Sequence, residues 1–308
     1  MKLKQSIVKS LLTGICFIAS VVTTYGLAQE QETAWQKMMP EIPSEMTDPS
    51  QRAAYLITHF WDNVNFQDTA FLMNDNLLER YFVDYLDLLS LVPDDLRDRS
   101  IHSLLKKSEE ENSLFTYLLR LSEQYLYDPE SPVCNEEKLI PFLNYSLQST
   151  LFNDTEKFRL NYLLDCISKN RIDSVANDFT YTLMNGETGN LHAIKADYTL
   201  LYFNDPECDD CRMLIRQLII SPIINQCIQS GKLKIITVYV NDDLDVWKKH
   251  APDVLHTWIY AYDAEQKINE ESIYNIKQFP ALYLLDRDKK VILKDLTFET
   301  LEDYIRSL

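Results

Sequence analysis

Leu200-Leu201-Tyr202-Phe203-Asn204-Asp205-Pro206-Glu207-Cys208-Asp209-Asp210-Cys211-Arg212 is an apolar run, a short polar turn and then two cysteines at CxxC spacing. The apolar run, Tyr198 to Phe203, has the composition of a strand buried on both faces. Cys208 to Ile220 reads as a helix, so Cys208 falls at its N-terminus. There, free backbone N–H groups and the helix dipole stabilise a thiolate. Cys211, one turn later on the same face, is placed to attack a mixed disulfide formed by Cys208. No third and fourth ligand lies near enough for a zinc site, so the pair predicts thiol–disulfide exchange. The bland alternatives are a structural disulfide or an inert relic of the fold.

Outward from this motif the C-terminal half alternates strands and helices. Phe179, Tyr181 and Leu183 alternate with polar residues, and Asn185-Gly186 signals a turn. Ser221-Pro222 restarts a helix, with Ser as cap and Pro in the first turn. Leu233 to Val240 is a second buried strand, and Asp242 to His250 is helical. Trp258 to Tyr262 is a short strand, Glu271 to Asn275 a short helix and Ala281 to Asp286 a strand. Arg287 to Lys290 makes a hairpin into Val291 to Lys294, and Phe298 to Ser307 is a closing helix. The front half keeps helical spacing instead. Ala54, Leu56, Ile57, Phe60, Trp61 and Val64 mark one helix, and Leu77 to Leu89 marks another. Pro93-Asp94-Asp95 starts a third. Leu114 to Leu126, Glu136 to Thr150 and Asp154 to Lys169 mark three more. The expected architecture is an all-α helical domain over residues 51–172 followed by an α/β domain over 173–308. The aromatic residues of 55–162 read as core packing.

Lys2, Lys4 and Lys9 precede an apolar run, Leu11 to Val22, and then Gly26-Leu27-Ala28. This pattern reads as a secretory signal over residues 1–28, cut before Gln29. An uncleaved anchor facing the periplasm is the alternative, and a lipoprotein at Cys16 is disfavoured by Ile15. Residues 29–50, polar and carrying Pro40, Pro43 and Pro49, read as a leader. The 308 residues carry 30 basic and 47 acidic side chains, a net charge of −17. Removing the three signal lysines takes this to about −20, which excludes nucleic acid as a partner. Only 5 glycines argue against a sandwich, a barrel or a Gly-rich nucleotide loop. His59, His102, His192, His250 and His256 lack metal-ligand spacing, so no metal site is expected. Cys227, among Ile223, Ile224 and Ile228, reads as an apolar packing thiol. A Cys134–Cys166 disulfide stays open beside the reading that both are passive.

The CxxC stretch resembles the thioredoxin superfamily, and within it the TlpA-like thiol–disulfide oxidoreductases. A second stretch carries the same resemblance: Tyr274-Asn275-Ile276-Lys277-Gln278-Phe279-Pro280-Ala281-Leu282-Tyr283-Leu284-Leu285-Asp286. The resemblance covers about residues 175 to 308 and implies a thioredoxin-like fold. It implies that Pro280 is cis and lies against the CxxC, and that Phe279 offers its backbone to a substrate chain. The front half resembles an uncharacterised helical domain found ahead of such domains. The chain departs from the family in having Glu207 where many relatives have Trp, and Tyr202 where many have a buried acid. It also has Asp209-Asp210 between the cysteines.

The function these features imply is an exported thiol–disulfide oxidoreductase acting as a disulfide reductase. Cys208 and Cys211 are the redox pair, with no organic cofactor or metal. The partners are a protein thiol or disulfide substrate and a membrane electron donor, with the helical domain selecting one of them. The rival is a non-catalytic scaffold built on a thioredoxin-like domain. Glu207, Asp209 and Asp210 tune the pair in the first reading, because carboxylates beside Cys208 oppose its thiolate. That predicts a reducing couple of about −250 mV on equilibration with dithiothreitol buffers. A value near that of strong oxidases, about −120 mV, would contradict it.

Overall fold

The computed structural model describes residues 36–72, 77–251 and 256–308. The signal reading over 1–28, Cys16 within it, and the first residues of the leader lie outside the described residues. The chain divides into two compact units between Asn161 and Tyr162. No helix among the described residues is long and apolar enough to cross a membrane.

The first unit is helical: α1 (Pro49–His59), α2 (Thr69–Leu72), α3 (Leu77–Leu88), α4 (Asp94–Ser108), α5 (Asn112–Leu126), α6 (Glu136–Gln148) and the start of α7 (Asp154–Ser168). Asp48 caps α1 by accepting the Gln51 N–H, with Pro49 in the first turn. Helix α1 ends at His59, earlier than the apolar spacing suggests. Phe60 and Trp61 follow in a turn and are still buried. The polar ends of this core are satisfied. The Tyr81 hydroxyl donates to Phe60 O at 2.6 Å and Met38 O at 2.9 Å. Ser100 Oγ bonds the Tyr85 hydroxyl and donates to Ile57 O, both at 2.9 Å.

The second unit is a seven-stranded mixed sheet flanked by helices. Its strands are β1 (Thr180–Leu183), β2 (Thr188–Asn190), β3 (Tyr198–Asn204), β4 (Leu233–Tyr239), β5 (Ile259–Tyr262), β6 (Ala281–Leu285) and β7 (Val291–Lys294). Their order is β2-β1-β5-β4-β3-β6-β7. Strands β3, β4 and β5 run parallel. The edges are antiparallel: β1 on β5, β2 on β1, β6 on β3 and β7 on β6. Among the described residues the helices α8 (Asp209–Ile220), α9 (Pro222–Gln229), α10 (Leu244–Lys249), α11 (Lys267–Glu270) and α12 (Phe298–Arg306) accompany them, with the end of α7.

Alternation along β3 splits the core in two. Leu201 and Phe203 join Ile236, Val238 and Tyr283 on one face. Leu200 and Tyr202 face the other way, under Leu214, Ile215 and Leu218 of α8 and Leu301 and Ile305 of α12. Ser221 caps α9 through Oγ to Ile224 N, and its hydroxyl donates to Glu302 of α12 at 2.7 Å.

Two features differ from the sequence reading. Strand β2 is a short Thr-Gly-Asn segment with no apolar pattern, held only by its register on β1. The short helix is Lys267–Glu270, not Glu271 to Asn275. Asp263 accepts the Ile268 N–H at 2.7 Å and Ile268 is buried, which starts the turn early. Ser272, at φ 47, then breaks it.

Candidate active site

The apolar stripe of α8 begins at the second cysteine. Cys211, Leu214, Ile215 and Leu218 recur at helical spacing, and all four are buried against β3. Cys208 precedes the helix as its N-cap, with extended backbone, and is only half-buried. Its Sγ accepts the Cys211 N–H at 3.3 Å, so the thiol occupies the place a capping oxygen takes elsewhere. One turn of helix therefore sets an accessible sulfur at the rim and a second sulfur in the core.

Two segments close on Cys208. The Asp205-Pro206-Glu207 turn is tied by Cys208 N to Asp205 O at 3.1 Å and by Glu207 N to Asp205 Oδ1 at 2.9 Å. Asn241, just past β4, donates to Asp205 Oδ2 at 3.0 Å. From the other side comes Phe279-Pro280, whose peptide bond is cis. The Cys208 thiol points at Phe279 O, 3.7 Å away. Phe279 is half-buried and packs against both core clusters. Lys277 anchors the same loop through an ion pair to Asp295 at 3.0 Å, its side chain only 6% exposed.

The electrostatics differ between the two sulfurs. Burial pushes the Cys211 thiol up to about 12, although the Asp205 backbone N–H opposes the shift. Tyr202, wholly buried, donates its hydroxyl to Cys211 O at 3.0 Å. Burial also holds that phenol far above its ordinary range. Asp209 and Asp210 occupy the first turn of α8, and both are exposed with Glu207. The sequence reading assigned no part to Arg212. Its guanidinium pairs with Asp209 and also donates to Pro206 O at 3.3 Å and Glu207 O at 3.2 Å. One of the two carboxylates beside Cys208 is thus offset. The available signal was the three-residue spacing from Asp209 to Arg212 on a helix start.

The remaining cysteines lie elsewhere. Cys134 donates to Leu126 O at 3.5 Å, Cys166 is buried in α7, and Cys227 packs at the edge of the α8 core. Among the described residues no group of His, Cys, Asp and Glu is arranged to hold a metal ion.

A three-stranded parallel centre with antiparallel edges, a CxxC opening a helix and a cis-proline loop against its first sulfur define a thioredoxin-like protein. Comparison with known proteins agrees. The crystal structure of a thioredoxin-like protein from Bacteroides caccae superposes with a TM-score of 0.84 at 39% identity, covering 87% of this chain and 97% of that one. The C-terminal domain of an uncharacterized Bacteroides fragilis protein matches at 42% identity and a TM-score of 0.44, over 44% of this chain and 98% of that one. The family described as a domain of unknown function, DUF5106, matches residues 19–170. The comparison with curated proteins yields no match. The chain belongs to the thioredoxin-like proteins, with a DUF5106 helical region ahead of the thioredoxin-like unit.

Two predictions follow from the charges at this site. In Arg212→Gln, Asp209 loses its partner and opposes the Cys208 thiolate unaided. The Cys208–Cys211 potential, read by dithiothreitol equilibration, becomes more negative by roughly 5–20 mV, the scale of an exposed ion pair. The second concerns Cys211. Its folded form keeps a proton that the unfolded chain loses, so the associated stability is complete below the ordinary value of 9.0 and is lost as pH rises towards about 12. Urea unfolding of the reduced protein across that window shows a decline that is shallower in Cys211→Ser, which keeps only the share of buried phenols such as Tyr202.

Proposed function

We propose that this protein is an exported thiol–disulfide oxidoreductase that reduces disulfides in partner proteins through Cys208 and Cys211. The observation that carries the reading is the placement of Cys208. Its sulfur caps α8 at the rim of the unit, beside the Phe279 carbonyl, while Cys211 sits one turn below it in the core.

The Cys208 thiolate attacks one sulfur of the partner's disulfide. That S–S bond breaks, the partner's other sulfur leaves as a thiolate, and a mixed disulfide forms. Cys211 then loses its proton and attacks Cys208 Sγ. The second partner thiolate leaves and the Cys208–Cys211 disulfide forms. Two electrons pass from the dithiol to the partner, whose two thiolates take up protons. A membrane-held dithiol donor returns the pair to its reduced state.

Phe279 and Pro280 border Cys208 and offer backbone to an extended partner segment. Glu207, Asp209 and Asp210 give the rim an acidic character that favours the reducing direction, moderated by Arg212. The amino-terminal stretch, with its lysines, short apolar run and Gly26-Leu27-Ala28, supports action outside the cytoplasm. The helical unit, in the region that DUF5106 matches, selects the partner or docks the donor.

Two variants test the reading. Cys211→Ser accumulates mixed disulfides with its partners, seen as thiol-sensitive high-mass bands. Cys208→Ser forms none and loses reductase turnover on a model protein disulfide. If neither variant changes turnover or trapping, the thioredoxin-like unit is a scaffold.

A further inference from the structure

Cys211 must release a proton before it can attack. The groups that act on its thiol are the Asp205 backbone N–H, the Cys208 thiol and the Tyr202 hydroxyl, and none of these is a carboxylate or an imidazole. Tyr202 already donates to Cys211 O, and its phenol is shifted the wrong way to act as a base. A cavity of about 250 Å³ borders Cys211, walled also by Asn204, Arg212, Arg216, His250 and Tyr260. It has room for several water molecules at roughly 30 Å³ each. Asn204 is 1% exposed, and its side-chain carbonyl finds no hydrogen-bond partner among the described residues. A buried amide oxygen without a protein partner is costly, and cavity water removes that cost.

We propose that this cavity is the proton exit of Cys211 and that His250, on its wall, takes the proton. The inference rests on the oxidoreductase reading above. In the mixed-disulfide state the Cys211 S–H bond breaks, and its proton passes through cavity water to the His250 imidazole. The Cys211 electron pair forms the bond to Cys208 Sγ. The bond from Cys208 to the partner breaks, and the partner sulfur leaves as a thiolate. His250 afterwards returns its proton to solvent. The charged and titratable groups on the cavity with His250 are Arg212 and Arg216 of α8 and Tyr260 of β5. Lys248 and Lys249 precede it on α10.

The experiment is stopped-flow mixing of the reduced full chain with dithiobis(nitrobenzoate) between pH 5 and pH 9. Cys208 attack releases a first thionitrobenzoate. Ring closure by Cys211 releases a second, in a phase that Cys211→Ser lacks. The expected closing rate rises with pH through an inflection within that range. In His250→Gln the inflection disappears and closing at neutral pH slows about a hundred-fold, with the first phase unchanged. A closing phase in His250→Gln that matches the unaltered chain in rate and pH profile overturns the proposal. So does a closing phase without inflection in the unaltered chain, which needs no variant to fold. If the unaltered chain shows no closing phase at all, the oxidoreductase reading itself fails.

Discussion

Strand β3 carries ladder hydrogen bonds on both edges and apolar packing on both faces, and the site is laid out from its end. Its seven residues pair with β4 from Tyr198↔Leu233 to Asn204↔Tyr239, and with β6 from Thr199↔Leu285 to Phe203↔Ala281. Such a strand has no freedom to slip, because a shift of one residue would exchange its two buried faces. The loop that leaves it, Asn204 to Cys208, therefore starts from a fixed point. The cis-proline loop enters β6 beside it. Both segments that meet at Cys208 are positioned by the same strand.

From that point the chemistry separates two identical side chains by one helical turn. Cys208 stands before the helix, where backbone N–H groups are open, and one of them already donates to its sulfur. Cys211 stands inside the helix on its apolar stripe, where burial opposes charge. A nucleophile needs the first environment. A resolving thiol that must stay protonated until its partner has reacted suits the second. Glu207, Asp209 and Asp210 are exposed beside Cys208, and Arg212 folds back over the turn and pairs with Asp209. The local field is thus less negative than the Glu-Cys-Asp-Asp-Cys string implies.

The helical unit follows a different logic. Its core is rich in rings, with Phe60 and Trp61 against each other and each against Tyr81 and Tyr85 at centroid separations of 4.3 to 5.4 Å. Rings bury much area, but a tyrosine hydroxyl must then find a partner. Tyr81 finds it in the carbonyls of Met38, at the end of a helical stretch, and Phe60, just past α1, so one hydroxyl ties two segments. Helix α1 can therefore stop at His59 while its apolar sequence continues in a turn.

Local patterns in the sequence were sufficient for most of the elements and for placing the two cysteines at a helix start. The 3.6-residue spacing of α3 to α7, the uniform apolar run of β3, Ser221-Pro222 at a helix start and CxxC after a strand each depend on near neighbours alone. The second stretch, Phe279-Pro280, was legible through its resemblance to a family. Strand β2 was not, because three residues of Thr, Gly and Asn carry no alternation. Helix α11 was misplaced because Asp263, whose carboxylate accepts the Ile268 N–H, lies outside the apolar pattern. Tertiary structure alone decided what surrounds the sulfurs. Phe279 lies 71 residues from Cys208 in the chain, yet its carbonyl meets that thiol. Asn204, Arg216, His250 and Tyr260 share no sequence pattern, yet they wall one cavity with Cys211. Periodicity records which face of an element is buried, but only the packed sheet determines which polar groups that burial brings together.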